Sequence, residues 1–252
     1  MHGFYVAAYE SGAEHSALPT WGCHTANPLN LCDSADQVSL EHISTVPGAC
    51  QINDVLKENE CSNFIELSET LEYLPDAAVS LPRSVRHNDN IVWVIDDQTH
   101  DILWSRIENC LQQLPDIFGG RPPVGLNCRF RFYRYQKGDY FRPHTDGAWP
   151  GSRIVDGELR ADAFGDRFSR MSALFFLSDD FEGGDTQFMV SQSNPDRPAV
   201  QGDTPVVMNI RVPKGGLLLF PHGTHPLHCV HSSAPIVSGT KYIVRTDLLF
   251  TV

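Results

Sequence analysis

RFRFYRYQKGDYFRPHTD, residues 129–146, carries a strand and, just beyond it, a pair of metal-ligand types. Its first half alternates. Cys128, Phe130 and Phe132 fall on one side and Arg129, Arg131 and Tyr133 on the other, the period of a half-buried strand. Lys137-Gly138-Asp139 reads as a turn. In the extended segment that follows, His144 and Asp146 are two residues apart and so point the same way. One imidazole and one carboxylate placed like this are two of the three ligands of a 2-His-1-carboxylate facial triad, which leaves positions open on Fe(II). A His-x-Asp pair alone is equally a surface pair at a strand end, so its weight depends on what lies downstream.

Downstream, residues 217–220 are an apolar strand, His231 follows, and ten positions later comes Lys241 within Ser238-Gly239-Thr240-Lys241-Tyr242. A further imidazole completes a metal site, and a fixed cation on the next strand suits the far carboxylate of a keto acid chelated at that metal. His225 and His228 compete with His231 for the third ligand position. Arg245 shares the face of Lys241 and is the alternative cation. Cys229 alternates away from His228 and reads as core.

The motifs Tyr135-x-x-Gly138, Phe141-x-x-His144-x-Asp146, Phe181-x-Gly183-Gly184-Asp185-Thr186-x-Phe188, residues 215–220, and His231 with Gly239-Thr240-Lys241-Tyr242 occur in one order. In order and spacing they resemble the prolyl 4-hydroxylase-like branch of the Fe(II)/2-oxoglutarate-dependent oxygenases, over residues 45–252. The resemblance implies Fe(II) held by His144, Asp146 and His231, with His231 preferred because the family places its distal histidine nine or ten positions before the cosubstrate cation. It implies Lys241 and Tyr135 on 2-oxoglutarate, O2 as second cosubstrate, ascorbate as reductant, and release of succinate and CO2. The implied reaction is hydroxylation of a C–H bond in a prolyl residue of a peptide or protein, with a free amino acid or other small molecule as the alternative. Arg170 matches a position where prolyl hydroxylases hold the peptide, and Trp149 is a second expected substrate contact. One departure concerns Phe176, which stands where many relatives have a tyrosine on the distal carboxylate; Ser172, on the same face, is the candidate to compensate. A cupin-like metalloprotein that does not use 2-oxoglutarate, acting as an isomerase or hydrolase, and a non-catalytic binding module are the remaining readings.

The rest of the chain is consistent with one domain. At 252 residues it is long enough for a single sizeable core. Residues 1–37, rich in Gly, Ser, Ala, Asn and Pro, read as an irregular extension, and residues 38–252 as the domain. Within it, 38–125 form a helical support and 126–252 the core. A short strand is expected over 38–43, a helix over 58–71, a buried strand over 91–95, and a second helix capped by Asp97 and closed by Pro115. Strands are expected over 127–135, 140–146, 171–178, 186–190, 205–211, 216–220, 226–231 and 241–250. Eight short strands after two helices indicate an α+β fold with a jelly-roll, double-stranded β-helix core of the cupin type, buttressed by the helices. Residues 147–168 lack a period and leave directly from Asp146, which suggests a lid over the substrate.

Nineteen basic against 31 acidic residues, a net charge of -12, argue against a nucleic-acid partner. No apolar run is long enough to cross a bilayer, so no membrane partner is expected. Seven cysteines at irregular spacings do not form a disulfide framework and suggest a reducing compartment, the cytosol or nucleus. Nothing in the sequence sets the oligomeric state.

Overall fold

Phe130 and Phe132 point to one side of the Arg129–Tyr135 strand, and Tyr133 and Tyr135 to the other. This alternation separates the two apolar layers of the protein. The structure is a computed structural model that describes residues 3–33, 38–78, 81–112 and 118–252. Arg129–Tyr135 lies inside a ten-stranded sheet. Across that sheet the strands run Phe4–Glu10, Leu18–Cys23, Asp89–Val94, Arg129–Tyr135, Lys241–Thr251, Arg167–Phe176, Leu217–Pro221, Cys50–Asn53 and Ser39–His42, with Gly125–Leu126 also paired to Lys241–Thr251. A five-stranded sheet runs Pro205–Ile210, Thr186–Ser191, His231–Ser233, Tyr140–His144 and Arg86–His87. The described residues are thus mostly β-sheet with two helices, Glu58–Thr70 and Asp97–Leu111.

One face of the large sheet buries Phe130, Phe132, Phe175, Leu217 and Leu219 against Phe64, Leu103 and Ile107 of the helices. The other face carries Tyr133, Tyr135, Leu174, Phe176, Leu218, Phe220 and Ile243, which pack with Phe188 of the small sheet. The helices form where expected because Cys61, Phe64 and Ser68, and then Leu103, Ile107, Cys110 and Leu111, place one buried stripe on each. The cap of the second helix is Asp96, not Asp97: its carboxylate accepts from Thr99 N at 3.0 Å, and Asp97 is the first helical residue. The expected stop at Pro115 lies outside the described residues.

A buried ion pair ties the helices together. Arg106 donates to both oxygens of Glu60, each at 2.7 Å, and to Val55 O at 2.8 Å. Glu60 in turn accepts from Lys57 N and Cys32 N, so one carboxylate closes the first helix and anchors the segment before it.

The reading of residues 1–37 as irregular is corrected. Phe4–Glu10 and Leu18–Cys23 form an antiparallel pair, and the second runs parallel to Asp89–Val94, extending the large sheet. Phe4–Glu10 is half-buried at almost every position, so its residues show no inside–outside alternation. Its neighbours beyond the hairpin are some 70 residues away in sequence, which no local pattern reports.

Asp76 fastens the turn of this hairpin. Its carboxylate accepts from Ala13 N, Glu14 N, His15 N and Ala77 N at 2.8–3.2 Å. Burial alone would raise this carboxyl, but the four amides outweigh it and hold the group well below the usual carboxylate range. A depressed carboxyl contributes stability that is fully present above the unfolded value of about 4 and is lost as pH falls below it. Asp76→Ala is therefore expected to lower the melting temperature at pH 7 and to lessen its fall on acidification. Thermal unfolding of both proteins at pH 7 and pH 3 checks this, and parallel curves would contradict it.

Two strand boundaries also differ. The expected 226–231 strand is replaced by hydrogen-bonded turns, with His225 N on His222 O and His228 N on His225 O, and only His231–Ser233 is extended. Pro226 has no amide hydrogen for a ladder. The other strand ends at His144, so Asp146 lies just past it rather than within it. Residues 147–168, expected to lack regular structure, contain a short hairpin, Arg153–Val155 with Glu158–Arg160.

Candidate metal and anion site

His144 ends the Tyr140–His144 strand and is paired directly across the small sheet with His231. Asp146, two residues on, turns its carboxylate between them. His144 Nε2 lies 3.8 Å from Asp146 Oδ1, and His231 Nε2 lies 3.5 Å from Oδ2. One ligand atom from each of the three lies within 4.8 Å of the others. The remaining nitrogens face carbonyls: His144 Nδ1 donates to Arg142 O at 2.8 Å and His231 Nδ1 to Cys229 O at 3.2 Å. This tautomer leaves both Nε2 lone pairs directed at the carboxylate, the arrangement that orients metal-binding imidazoles. Burial, with His231 adding to it, pushes His144 down to about 3, and burial also lowers His231, so both rings are neutral at pH 7.

The carboxylate is held from behind. Ser172 Oγ donates to Asp146 Oδ2 at 2.6 Å, and Arg245 Nη1 lies 2.9 Å from Oδ1. Burial would raise the Asp146 carboxyl, but the Arg245 guanidinium and the Ser172 hydrogen bond hold it far below the usual range. Ser172 is also 3.0 Å from His222 Nδ1, whose Nε2 is 3.0 Å from Ser169 Oγ. Ser169 Oγ accepts from Trp149 N at 2.8 Å, so hydrogen bonds run from the carboxylate to the segment that follows it.

A cavity extends from this cluster to Lys241, lined on its way by Tyr133, Tyr135, Leu174, Thr186, Ser233 and Ile243. Lys241 is 1 % exposed. Its Nζ donates to Gly184 O at 2.5 Å and to Ser233 Oγ at 3.3 Å, and no carboxylate among the described residues is in salt-bridge range. Burial, with Arg211 adding to it, pushes the amine down to about 7. The rings of Tyr135 and Phe176 lie 5.4 and 5.6 Å from Nζ. Gly184 takes a φ of 67°, and a Cβ there would meet Ile236 at 2.3 Å, which explains the glycine at the turn whose carbonyl Lys241 needs.

The structure thus brings His144, Asp146, His231, Tyr135 and Lys241 to one cavity. His225 and His228 lie in the turns beyond it, His228 Nδ1 on Gly223 O. Three readings change. Ser172 sits at Asp146, and so does not serve the distal carboxylate in place of a tyrosine. Arg245 is on Asp146 and Asp247, two register steps from Lys241, and so is not an alternative to it. Arg170 occupies an irregularity in the strand between Ser169 and Met171, and lines a separate open groove with His222, Thr224 and His225. Trp149 packs over Arg131, whose guanidinium carbon lies 5.5 Å from the ring centroid. Among the residues the sequence did not single out, Tyr133, His222 and Asp247 belong to the site; Asp247 could have been found by its alternation with Lys241 and Arg245, His222 could not.

No protein-family model and no curated protein matches the chain. Solved structures do. A prolyl 4-hydroxylase from Pseudomonas putida superposes with a TM-score of 0.51 at 15% identity, over 80% of this chain and 92% of that one. A viral collagen prolyl hydroxylase from Paramecium bursaria Chlorella virus-1, solved as a 2OG complex, gives 0.50 at 16%, over 84% and 99%. A Trichoplax adhaerens prolyl hydroxylase, in complex with a peptide fragment of the hypoxia-inducible factor oxygen degradation domain, gives 0.52 at 17%, over 80% and 83%. The chain therefore has the fold of the prolyl hydroxylases.

Proposed function

We propose that the protein is an Fe(II)- and 2-oxoglutarate-dependent dioxygenase that hydroxylates a prolyl residue in a peptide or protein. The observation that carries this is the pairing, across one cavity, of the His144–Asp146–His231 cluster with a buried lysine that has no carboxylate in salt-bridge range among the described residues. Two neutral imidazoles and one carboxylate are the donor set of a facial site for divalent iron. A buried cation needs an anion, and the far carboxylate of a keto acid chelated at the cluster supplies one. We read the two facing sheets as a jelly roll with this cavity between them.

Iron, 2-oxoglutarate and O2, when bound, supply the oxidation that puts a hydroxyl on a C–H bond and releases succinate and CO2, with ascorbate as reductant. The chain's own residues do the rest. His144, Asp146 and His231 would hold the metal. Ser172 and Arg245 fix the carboxylate, Lys241 and Tyr135 receive the cosubstrate, and Leu174, Phe176 and Ile243 keep the cavity dry. The peptide complex of the Trichoplax neighbour supports a peptide substrate. Seven free cysteines support a reducing compartment, the cytosol or nucleus.

The test is an aerobic incubation with Fe(II), ascorbate, 2-oxoglutarate and proline-containing peptides. Succinate formed together with a one-oxygen mass gain on proline is expected; metal binding without succinate formation would overturn the proposal. The pH dependence is a second check. Lys241 with a value of about 7 is charged below that pH and neutral above it, so binding a dicarboxylate at higher pH requires uptake of a proton. 2-Oxoglutarate affinity is therefore expected to be flat below pH 7 and to fall above it. Lys241→Met should weaken binding by ~10- to 150-fold, the loss of one charged hydrogen bond, and Lys241→Arg should flatten the profile. Calorimetric titration at pH 6, 7 and 8 measures this, and an unchanged affinity in Lys241→Met would remove Lys241 from the site.

A further inference from the structure

Three cations lie on the cavity-facing side of the large sheet. Lys241 and Arg245 alternate along one strand, and Arg131 sits on the next strand directly opposite Arg245. Two carboxylates face them, and Arg245 engages both, Asp146 at 2.9 Å and Asp247 at 3.3 Å. Arg129, two residues before Arg131, is paired with Glu10 at 2.7 Å. Arg131 is different. Among the described residues it has no hydrogen bond and no ion pair, only the Trp149 ring 5.5 Å away. It is half-buried, with Arg129 and Arg245 as its like-charged neighbours and Asp247 and Glu10 as the carboxylates that act on it from beyond ion-pair distance. Burial and the Arg245 guanidinium both weaken its hold on its proton.

The charge balance of the loaded site identifies what is missing. With the two imidazoles neutral as metal ligands, the three cations Lys241, Arg245 and Arg131 against the two anions Asp146 and Asp247 leave one positive charge (3 − 2 = 1). On the reading proposed above, a divalent metal and a dicarboxylate cancel each other. The surplus charge stays, and of these cations Arg131 has no carboxylate within ion-pair distance among the described residues, Asp247 and Glu10 acting on it only from further away. The register puts it on the far side of the metal cluster from Lys241, because Tyr135 pairs with Lys241 and Arg131 with Arg245. On that side the segment after Asp146 places Trp149 against Arg131, with Trp149 N fixed on Ser169 Oγ.

We infer that the prolyl substrate carries a carboxylate beside the target ring, bound by Arg131 against the face of Trp149. A guanidinium fork matches a carboxylate in two parallel hydrogen bonds, and one surplus positive charge matches a monoanion rather than a phosphate dianion. The carboxylate has two possible sources: the terminal carboxylate of a free or C-terminal proline, or an acidic side chain next to the proline. This inference rests on the proposed function, and the experiment separates the two.

Two matched pairs are compared as substrates: N-acetyl-L-proline with its amide, and acetyl-Pro-Asp-amide with acetyl-Pro-Asn-amide. Substrate-dependent succinate and the one-oxygen mass gain are followed in the wild type, Arg131→Gln and Arg131→Lys. Binding of the same probes to metal-free protein is followed by tryptophan fluorescence, which does not depend on turnover. In the wild type, kcat/KM is expected to favour the charged member of one pair by about 10- to 100-fold. The first pair identifies a terminal carboxylate and the second an acidic side chain. Arg131→Gln should bring the ratio to near one through KM, and Arg131→Lys should retain part of it. Equal use of both members of each pair overturns the inference, as does a preference that survives in Arg131→Gln, or failure of all four probes both to bind and to react. Charge-selective quenching that Arg131→Gln abolishes, without succinate from any probe, would leave the inference standing and overturn the proposed function.

Discussion

Asp146→Ala is expected to abolish stoichiometric Fe(II) binding and turnover, and Ser172→Ala to weaken both in the same direction by less. Asp146 is the only carboxylate in the three-residue cluster, and each of its oxygens faces one imidazole and one supporting donor. Removing it leaves two neutral rings, which cannot balance a divalent charge, and leaves Arg245 with Asp247 alone. Ser172→Ala keeps the ligand but frees its orientation, a loss that elsewhere costs ~10- to 100-fold in metal affinity. Anaerobic Fe(II) titration followed by metal analysis ranks the three proteins. An Asp146→Ala protein that still holds one iron per chain would move the metal away from this cluster.

Arg106→Met is expected to be the most damaging single substitution outside the site. Arg106 and Glu60 are both essentially without solvent contact, and the guanidinium meets both carboxylate oxygens. Without it Glu60 is a buried charge retaining only two backbone amides. Breaking such a pair from one side costs ~3–5 kcal/mol, a large share of the stability of an ordinary domain. Joining Arg106→Met with Glu60→Gln should recover part of that loss, because it removes the stranded charge while keeping one acceptor oxygen, for either Lys57 N or Cys32 N. Urea denaturation of the wild type, single and double variants measures it, and additive losses would show that the two residues act independently.

What was legible in the sequence followed from short-range repetition. Phe130 and Phe132 against Tyr133 and Tyr135 give the strand and both of its faces, and Cys61, Phe64 and Ser68 give the first helix. His144 and Asp146 converge as their spacing requires although the strand ends before Asp146, because the chain stays extended long enough. What was not legible depends on which distant strands become neighbours. Phe4–Glu10 and Leu18–Cys23 looked irregular until Asp89–Val94 lay beside the second. Arg245 and Ser172 were assigned to the wrong end of the cavity because alternation shows which face a side chain takes but not what stands opposite it. Glu60 and Arg106 lie on two different helices, and no local pattern marks them as the buried pair they form where the helices meet.

The placement of Lys241 and Arg245 on one uninterrupted strand constrains how this cavity can evolve. Residues of one face recur every two positions, ~6.8 Å along an antiparallel strand. The distance between the cluster and the deep cation is therefore quantised. One inserted residue between 241 and 245 would turn one of the two cations into the apolar layer behind the sheet, and only an insertion of two restores both at a longer separation. A lineage of such proteins cannot lengthen the reach between the two cations by small steps in the backbone. Exchange of lysine for arginine at the deep position, or of the residues that line the passage, is the gradual adjustment left to it.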